Sequence, residues 1–476
     1  MPASSPPPTY DFAIIGGGSA GYAAARTAAE LNLKTVVVDG SETLGGLCIL
    51  RGCMPSKTLI ESANRNLTLR RAKEFGLRAE NLEVYPEEIR SRKRRLIAEF
   101  ADYRTEQLIN GPFDLLRGSA KFLDPHLIEV TPIDKTTKPI LIQSKTALIA
   151  TGSVIHHPDI PGAQETGYLT SDDVLDGDRL PLSIIILGGG AIALEMAHFF
   201  EGLGSNVTIV QRSPHILKDL DHDVTSTLAQ AFKNRGITLH CNTSLKKITT
   251  EKDRKTVHFE NQGAPFVVRA SEILMALGRR PATDSLQLDK AGVTIEDHRI
   301  LTDNSQVTNI PHIFAAGDVC GPHEIVHIAI EQGEVAATNA ATLLGRLDHS
   351  QKQLIDYRLK ILGIFTEPQV AAVGLSEHEA KEQNLPILTA SYPFDDHGKS
   401  LVRGDDEGLV KLIAHADSRE ILGASIVGPE AVELIHEIVV AMNFHATTDD
   451  LASIPHYHPT LSEIWTYPAE EINDSK

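Results

Sequence analysis

Residues 11–21 read Asp11-Phe-Ala-Ile-Ile-Gly-Gly-Gly-Ser-Ala-Gly21, and a similar stretch, Ser183-Ile-Ile-Ile-Leu-Gly-Gly-Gly-Ala-Ile-Ala193, follows 172 residues later. Each copy begins with apolar and β-branched residues, which are typical of a buried parallel strand. Three glycines follow, and then an Ala-rich segment of helical character. A second apolar strand comes after each helix, at Thr35–Val38 and at Val207–Val210. The repeat therefore predicts an α/β fold with two similar strand–turn–helix–strand units.

The glycine spacing has a specific physical use. Gly16 makes a tight turn, Gly18 lets the backbone approach a pyrophosphate, and Gly21 lets the helix pack on its strand. The phosphates would then lie at the positive end of the helix. One Gly-x-Gly-x-x-Gly alone could be an ordinary Gly-rich turn, but two copies in the same context indicate two dinucleotide sites. The second copy has its equivalent residues at Gly188, Gly190 and Ala193.

The two copies differ at the residue that follows the second strand. Counting 23 residues on from Gly16 reaches Asp39, where an acid can accept hydrogen bonds from an adenosine ribose. The same count from Gly188 reaches Gln211, which is followed by Arg212. The acid is therefore missing from the second site.

Two of the four cysteines lie in Gly45-Gly-Leu-Cys-Ile-Leu-Arg-Gly-Cys-Met-Pro-Ser-Lys57. A regular helix would advance about 7.5 Å from Cys48 to Cys53, beyond the usual Cα separation of a disulfide. Gly52 and Pro55 indicate an irregular turn that could bring the two together. Alone, the pair could equally be two buried cysteines at a helix start. Beside a dinucleotide fold in a Cys-poor chain, a redox-active pair is the better interpretation.

Composition narrows the class of protein. The 476 residues suggest about three domains, and the formal charge of −18 makes a nucleic-acid partner unfavourable. Uncharged stretches such as Phe12–Ala25 and Leu180–Leu194 are shorter than a membrane span, so we expect no membrane association. Four cysteines are too few for a disulfide framework, which favours a reducing compartment. No basic residue precedes Arg26, which disfavours a secretory signal or an Arg-rich transit peptide. We therefore expect a cytoplasmic protein, and we expect no metal site.

Further segments complete a recognisable set: Ala150-Thr-Gly152, Gly278-Arg-Arg-Pro281, Ala315-Ala-Gly-Asp318 and His458-Pro-Thr-Leu-Ser-Glu463. With both fingerprints and the cysteine segment, they make nearly the whole chain resemble the pyridine nucleotide–disulfide oxidoreductases. That family includes dihydrolipoamide dehydrogenase, glutathione reductase and mercuric reductase. The resemblance implies an α/β fold with two Rossmann-type dinucleotide-binding domains and an α+β C-terminal dimerisation domain.

The resemblance also implies domain order and cofactors. It places an FAD-binding domain at 1–153, an NAD(P)-binding domain at 154–279, a central segment that completes the FAD site at 280–350, and the dimerisation domain at 351–476. Asp39 would hold the FAD ribose, and Asp318 would hold the ribityl chain. The cofactor-binding residues implied across both sites are Gly16, Gly18, Ser19, Ala20, Gly21, Asp39, Gly46, Lys57, Thr151, Gly152, Gly188, Gly190, Ala193, Gln211, Arg212, Lys218, Gly278, Arg279, Gly317 and Asp318.

At the thiol site, the resemblance makes Cys53 the sulfur nearest the flavin and Cys48 the sulfur that exchanges with substrate. Lys57 would lie beside the flavin, paired with Glu195. The two could instead be solvated helix charges. However, an unpaired charge would be costly among the apolar neighbours of Glu195, which are Ile192, Leu194, Met196 and Phe199. The remaining cysteines, Cys241 and Cys320, are expected to be structural.

Thiol exchange needs a base, because the thiolate rather than the thiol attacks. A His before a Pro could be an ordinary surface arrangement, but the resemblance assigns His458, oriented by Glu463, as this base. In the family the pair works on the Cys48–Cys53 site of the partner subunit. A homodimer with a shared active site is therefore implied.

Within the family, the sequence favours a dihydrolipoamide dehydrogenase-like enzyme. Mercuric and large thioredoxin reductases carry extra C-terminal cysteines, whereas the last cysteine here is Cys320. The insert Ile49–Gly52 resembles some glutathione reductases, but Glu334 would repel a glutathione carboxylate, and Pro55-Ser-Lys57 looks like dihydrolipoamide dehydrogenase. The expected substrate is a small thiol or disulfide, such as a lipoyl group on a carrier domain.

Two alternatives remain open. One is an NADPH-dependent reductase of glutathione or another small disulfide. The other is a non-catalytic FAD-binding dimer that serves as scaffold or sensor, which would not need Cys48, Cys53, His458 and Glu463 together.

The nicotinamide cofactor is expected to be NAD(P), with NADP(H) accepted and preferred over NAD(H). Glutathione reductases carry an Arg-x5-Arg whose two cations meet the 2′-phosphate of NADP, and this chain has Arg212 and Lys218 at that spacing, beside Gln211. Both could instead be ordinary loop cations.

Overall fold

The computed structural model describes residues 6–134 and 136–475. The outer bounds of the predicted first and last domains, residues 1 and 476, lie outside the described residues. The strands are β1 (Thr9–Ile15), β2 (Thr35–Asp39), β3 (Asp114–Phe122), β4 (Leu127–Pro132), β5 (Ile140–Ile149), β6 (Ser153–Ile155), β7 (Ser183–Leu187), β8 (Asn206–Val210), β9 (Thr238–His240), β10 (Thr243–Glu251), β11 (Arg254–Asn261), β12 (Ala264–Ala270), β13 (Glu272–Met275), β14 (Arg279–Pro281), β15 (Ile295–Glu296), β16 (Arg299–Ile300), β17 (Ile313–Ala315), β18 (Ile361–Ile364), β19 (Gln369–Gly374), β20 (Ile387–Pro393), β21 (Leu409–His415) and β22 (Ile421–Gly428).

The α-helices are α1 (Ser19–Glu30), α2 (Gly46–Arg51), α3 (Cys53–Arg70), α4 (Pro86–Ile109), α5 (Ala163–Thr166), α6 (Ser171–Asp176), α7 (Ala191–Gly202), α8 (His222–Asn234), α9 (Leu288–Ala291), α10 (Val326–Leu343), α11 (Glu377–Glu382), α12 (Gly398–Arg403), α13 (Ala431–Asn443), α14 (Thr448–Ser453) and α15 (Thr466–Asp474). Both copies of the predicted strand–turn–helix–strand repeat are present, as β1–α1–β2 and β7–α7–β8. The predicted α/β fold class is confirmed.

The chain forms two compact units. Of the described residues, the first comprises 6–56, 91–134, 136–156 and 279–356. Its main sheet has β1 in parallel between β2 and β5, with Ile14 opposite both Val37 and Leu148. Every residue of β2 is buried, as expected for a parallel strand covered on both faces. This sheet brings the first fingerprint and the end of β2 to the same edge.

The second unit comprises, of the described residues, 57–90, 157–278 and 357–475. Its parallel sheet has the order β13–β7–β8–β9, and Ile184 lies opposite Val207 in the central pair. A separate antiparallel sheet of order β18–β19–β22–β21–β20 follows near the C-terminus. Helices α13 and α15 bury their apolar residues against it, including Ile438 and Ile472. The segment that contains His458 and Glu463 follows this antiparallel sheet in the chain.

Residues 57–90 belong to the second unit, although the sequence placed them within an FAD-binding domain of residues 1–153. Helix α3 packs on α7 through three polar pairs, about two turns apart on α3 and one turn apart on α7: Lys57 with Glu195, Asn64 with His198, and Arg70 with Glu201. Such long-range packing leaves no local signal in the sequence. The division by function at residues 153, 279 and 350 stays a prediction.

Candidate active site

Both glycine fingerprints make turns that only glycine can occupy. Gly16 has a φ of +109°, and a Cβ there would lie 2.3 Å from the carbonyl oxygen of Ala150. Gly188 repeats this arrangement, with a φ of +121° and a Cβ position 2.3 Å from the carbonyl oxygen of Ala276. An L side chain at either place would be both strained and obstructed. The turns are as tight as the spacing predicts.

The helix that follows each turn begins with room for a ligand. Gly18 and Gly190 are the N-caps of α1 and α7, and because glycine has no side chain, neither helix start is capped by one. A Cβ on Gly190 would meet nothing within 4 Å, and one on Gly18 would meet only the Cα of Gly46, at 3.9 Å. The first N–H groups of both helices are therefore available to an anion. Ser19, Ala20 and Gly21 open α1, and Ala193 is buried in the first turn of α7.

Asp39 and Gln211 occupy equivalent places, and only the first is charged. Asp39 is buried, and its Oδ2 accepts from the N–H of Gly17 at 2.8 Å. In the second repeat, a Cβ on Gly189 would lie 2.9 Å from the Cδ of Gln211. The side-chain oxygen of Gln211 accepts from the N–H of Arg212 at 3.1 Å. The second site therefore has a neutral amide where the first has a carboxylate.

The loop after Gln211 folds back onto the second fingerprint. The N–H of Leu217 donates to the carbonyl oxygen of Gly189 at 2.9 Å, which holds the loop against the glycine turn. Arg212 and Lys218 are both exposed on this loop. Lys218 has a weak partner in Asp219, at 3.9 Å. Two solvent-facing cations thus lie on a loop anchored to the nucleotide-binding turn.

Three distant motifs of the first unit meet around Asp318. The hydroxyl of Ser153 donates to Oδ2 of Asp318 at 2.6 Å, and Nε of Arg279 donates to the same hydroxyl at 2.8 Å. The N–H of Gly317 donates to the side chain of Gln332, at 2.7 Å, and Gln332 is fully buried. Nothing in the sequence of its helix distinguishes Gln332 from a surface amide, so the sequence does not predict this contact. Thr151 and Gly152 precede Ser153 and lie beside this cluster, where Thr151 donates to the carbonyl of Ala282 at 2.8 Å.

The cysteine segment is interrupted where the sequence predicted an irregular turn. Helix α2 ends at Arg51, Gly52 is non-helical, and α3 begins at Cys53. A Cβ on Gly52 would lie 3.1 Å from the Cα of Cys48, so the chain after α2 folds back over that residue. A regular helix would not bring residue 52 so close, and this break supports the proposed pairing of Cys48 with Cys53.

Arg104 lies near Cys48, and no sequence motif predicts it there. Its guanidinium stacks 4.0 Å from the ring centre of Tyr22. Burial lowers the pKa of Arg104, while Tyr22 and Cys48 act in the opposite direction. A cation in this place stabilises a thiolate at Cys48. In the sequence, Arg104 is one of many charged residues of the long helix α4, so the pattern does not distinguish it from a surface cation.

The tail motif forms a histidine–carboxylate pair. Nδ1 of His458 lies 3.0 Å from Oε2 of Glu463. The side chain of His458 is 79% exposed and that of Glu463 only 11%. Because Glu463 is held inside the fold, it fixes the imidazole by Nδ1 and leaves Nε2 free to point outward. This arrangement suits a general base.

Two family models match most of the chain. The family described as pyridine nucleotide-disulphide oxidoreductase matches residues 10–333, and the dimerisation domain of the same oxidoreductases matches residues 362–469. The chain belongs to the pyridine nucleotide-disulphide oxidoreductase family. The dihydrolipoyl dehydrogenase of Chlamydia muridarum is 33% identical over 464 residues, which cover 97% of this chain and 96% of that protein.

Other relatives show the breadth of the family. The mercuric reductase of Bacillus cereus is 32% identical over 458 residues, covering 95% of this chain and 70% of that protein. The HOCl-induced flavoprotein disulfide reductase RclA from Escherichia coli, solved as a Cu(II) complex, has a TM-score of 0.84 and 26% identity. That match covers 97% of this chain and 99% of the solved one.

Family membership confirms that the protein is an FAD-dependent pyridine nucleotide–disulfide oxidoreductase. Its two cofactors are FAD and a pyridine nucleotide, and its dimerisation domain indicates a homodimer. The glycine turns, the open helix starts and the buried Asp39 fit two bound dinucleotides. Because the family is enzymatic, the alternative of a non-catalytic scaffold is not supported.

Two cysteines are unsuited to exchange chemistry. Burial raises the pKa of Cys320 to about 12, and burial also raises the pKa of Cys241. Both therefore remain thiols at neutral pH, which agrees with their predicted structural role. Among residues 6–134 and 136–475, no helix is long and apolar enough to cross a bilayer.

Proposed function

We propose that the enzyme is dihydrolipoyl dehydrogenase-like and moves electrons between a nicotinamide nucleotide and a small dithiol, such as a lipoyl group on a carrier domain. The observation that carries the proposal is the His458–Glu463 pair, in which a buried carboxylate at 3.0 Å orients an exposed imidazole. The dihydrolipoyl dehydrogenases of Chlamydia muridarum and Thermus scotoductus, each 33% identical over nearly the full chain, support the choice of substrate.

In the proposed reaction, the chain's own groups carry out thiol–disulfide exchange. A substrate thiolate attacks the sulfur of Cys48 in the oxidised pair, and Cys53 leaves as a thiolate. The second substrate thiol gives its proton to Nε2 of His458, and its sulfur attacks the substrate sulfur of the mixed disulfide. The bond between that sulfur and Cys48 breaks, and Cys48 leaves as a thiolate. The dithiol is thereby oxidised and the cysteine pair reduced by two electrons. Bound FAD supplies the two-electron redox chemistry that connects the cysteine pair with the nicotinamide.

We infer that each active site is shared by two subunits, with His458 serving the Cys48–Cys53 pair of the partner. The dimerisation domain at residues 362–469 supports this inference, because it contains His458 and Glu463. Lys57 and Glu195 are proposed to lie beside the flavin, and Asp39 and Asp318 to hold its ribose and ribityl chain. A cytoplasmic location also stays a prediction.

A glutathione reductase-like activity is the weaker candidate. Glu334 lies 3.5 Å from Arg26, and its side chain is 39% exposed. Arg26 neutralises the carboxylate of Glu334, which is only partly buried. The pair therefore has no net positive charge with which to bind a glutathione carboxylate. A substrate without that carboxylate, such as a lipoyl amide, avoids the conflict.

The proposed nicotinamide nucleotide is NADP(H). A carboxylate at the place of Gln211 would repel a 2′-phosphate, and the amide there does not. Arg212 and Lys218 lie on the loop held against Gly189, where they could pair with that phosphate.

Steady-state kinetics of the purified FAD-loaded enzyme test the proposal. Dihydrolipoamide and glutathione disulfide are compared as substrates, each with NAD(H) and with NADP(H). The expected result is turnover of dihydrolipoamide at least tenfold above that of glutathione disulfide, measured as kcat/KM. A clear preference for glutathione disulfide would replace this function by the alternative.

A further inference from the structure

Glu463 faces a second imidazole on its buried side. Nε2 of His397 lies 3.4 Å from Oε1 of Glu463, while Nδ1 of His458 lies 3.0 Å from Oε2. The side chain of His397 is 0% exposed, whereas that of His458 is 79% exposed. One carboxylate therefore lies between an exposed imidazole and a buried one.

Packing fixes the ring of His397. The residue lies between the 3₁₀ turn Phe394–Asp396 and α12, and the ring packs edge-on against Phe394 and Tyr467. Its Nδ1 lies 2.9 Å from the hydroxyl of Ser400, which is also fully buried. Within the described part of the chain, Nε2 makes no regular hydrogen bond, and the carboxylate of Glu463 is the acceptor within ion-pair distance.

These contacts assign the proton of the neutral ring. An ionised carboxylate only accepts hydrogen bonds, so a bare Nε2 facing Glu463 would be repelled. The Ser400 hydroxyl can donate to Nδ1, which leaves the ring proton on Nε2, directed at Glu463. A small rotation of the carboxylate would bring Oε1 within hydrogen-bond distance of this donor.

Burial keeps the ring of His397 neutral, and the charges around it act in opposite directions. Burial lowers the pKa of His397, Glu463 acts to raise it, and His458 acts to lower it further. The ring of Tyr467 lies edge-on to that of His397, and Oδ2 of Asp396 accepts from the hydroxyl of Tyr392 at 2.9 Å. At neutral pH, His397 is therefore a donor and not a competing cation.

We propose that His397 is a positioning residue for the thiol chemistry, donating from Nε2 to Oε1 of Glu463 and stabilising that carboxylate while His458 is neutral. This inference rests on the proposed function, in which His458 is the base. When His458 is protonated, its charge compensates Glu463. When His458 is neutral, the buried carboxylate has no cation beside it, so a donor on its other oxygen matters most. His397 therefore favours the form of the pair that can accept a proton.

A matched pair of variants isolates the donor. Gln and Met have similar size, but only His397→Gln keeps an N–H near the position of Nε2. The pH dependence of dihydrolipoamide turnover is measured for both, with nicotinamide oxidation by ferricyanide as a control for the rest of the enzyme. We expect His397→Met to move the acidic limb upward by about one pH unit, because a hydrogen bond to a charged group shifts an equilibrium roughly tenfold or more. His397→Gln should leave the limb near its original position.

A second readout does not depend on the substrate. Diethyl pyrocarbonate modifies neutral imidazole, so the pH midpoint of His458 modification, followed by peptide mass spectrometry, reports the same equilibrium directly. Wild-type enzyme without dihydrolipoamide turnover would contradict the proposed function, while the midpoint would still test His397. An equal midpoint in wild type and His397→Met would overturn the inference, as would equal shifts in both variants.

If His397→Met does not fold, Ser400→Ala tests the inference instead. It should shift the midpoint of His458 modification in the same direction by a smaller amount, and no shift would overturn the inference.

Discussion

Lys57 donates to both carboxylate oxygens of Glu195, with Nζ 2.9 Å from Oε1 and 2.9 Å from Oε2. The N–H of Phe365 donates to the same Oε1 at 3.1 Å, and the ammonium lies 4.6 Å from the centre of the Phe365 ring. The Glu195 side chain is 6% exposed and that of Lys57 is 29% exposed. The sequence-based argument that a charge among apolar neighbours needs a partner is therefore confirmed.

Breaking this pair from one side should cost more than removing both charges. Lys57→Met leaves Glu195 buried without its counter-ion and is expected to lower the free energy of unfolding by about 2–4 kcal/mol, less than for a fully buried pair because Lys57 is partly exposed. Adding Glu195→Gln should recover part of that loss. Urea unfolding of the FAD-loaded wild type, both single variants and the double variant measures the coupling. Effects that simply add would show that the two residues act independently.

Replacing either cysteine of the proposed redox pair should abolish thiol turnover. We expect Cys48→Ser and Cys53→Ser to lose dihydrolipoamide oxidation, because exchange needs both sulfur atoms. Nicotinamide oxidation by ferricyanide, which bypasses the pair, should persist. Cys241→Ser is the matched control, since the raised pKa of Cys241 keeps it a thiol. Wild-type turnover by Cys48→Ser with every disulfide tested would contradict the mechanism.

Loss of the proposed base should affect one half-reaction. His458→Gln is expected to reduce dihydrolipoamide turnover roughly 10²–10⁴-fold, while ferricyanide reduction is unchanged. His445→Gln is a suitable control, because His445 also pairs with a glutamate through Nδ1, at 2.7 Å from Glu420, and is 63% exposed. Equal loss of both half-reactions in His458→Gln would point to a damaged dimer instead.

Glu367 should make stability fall as pH rises. Burial raises the pKa of Glu367 to about 7, with a further contribution from Asp405 and opposing contributions from Arg235 and Arg71. The unfolded chain titrates this group near its usual value of 4.5, so the folded state binds the proton more tightly. The stabilisation is full below pH 4.5 and is lost as the pH rises through about 7.

The corresponding variant is Glu367→Gln. We expect it to be more stable than wild type at pH 8 by about 1–3 kcal/mol, and to have no advantage near pH 4.5. Urea unfolding at both pH values measures the difference, and the exposed Glu296→Gln serves as control. An advantage of the same size at both pH values would show that the carboxyl is not the cause.

What the sequence could and could not predict follows from the range of the interactions. Gly16, Gly188 and the acid Asp39 are fixed by local geometry, and their spacing alone located both nucleotide turns. His397 approaches Glu463, Gln332 binds Gly317, and Arg104 lies near Cys48, each through packing between segments that are far apart in the chain. The same is true of helix α3, whose residues Lys57, Asn64 and Arg70 pair with residues of α7. Such contacts have no repeating pattern that a single sequence can reveal.

The last prediction concerns cofactor choice at the second fingerprint. Arg212→Ala is expected to reduce kcat/KM for NADP(H) about tenfold or more, because a charge-assisted hydrogen bond contributes roughly 1.5–3 kcal/mol. The kinetics with NAD(H) should change little, since NAD has no 2′-phosphate. Gln211→Asp should act in the same direction, because it restores a carboxylate at the position equivalent to Asp39 and adds repulsion to the lost attraction.

Arg254→Ala provides the matched control, because Arg254 is an exposed cation at the start of β11, in another sheet of the same unit. It should leave both cofactor preferences unchanged, which separates a local contact with the 2′-phosphate from a general effect of net charge. The expected wild-type preference is for NADP(H). A wild-type enzyme that favours NADH more than tenfold would show that Arg212 and Lys218 are ordinary loop cations, and that the amide of Gln211 is sufficient to bind an unphosphorylated ribose.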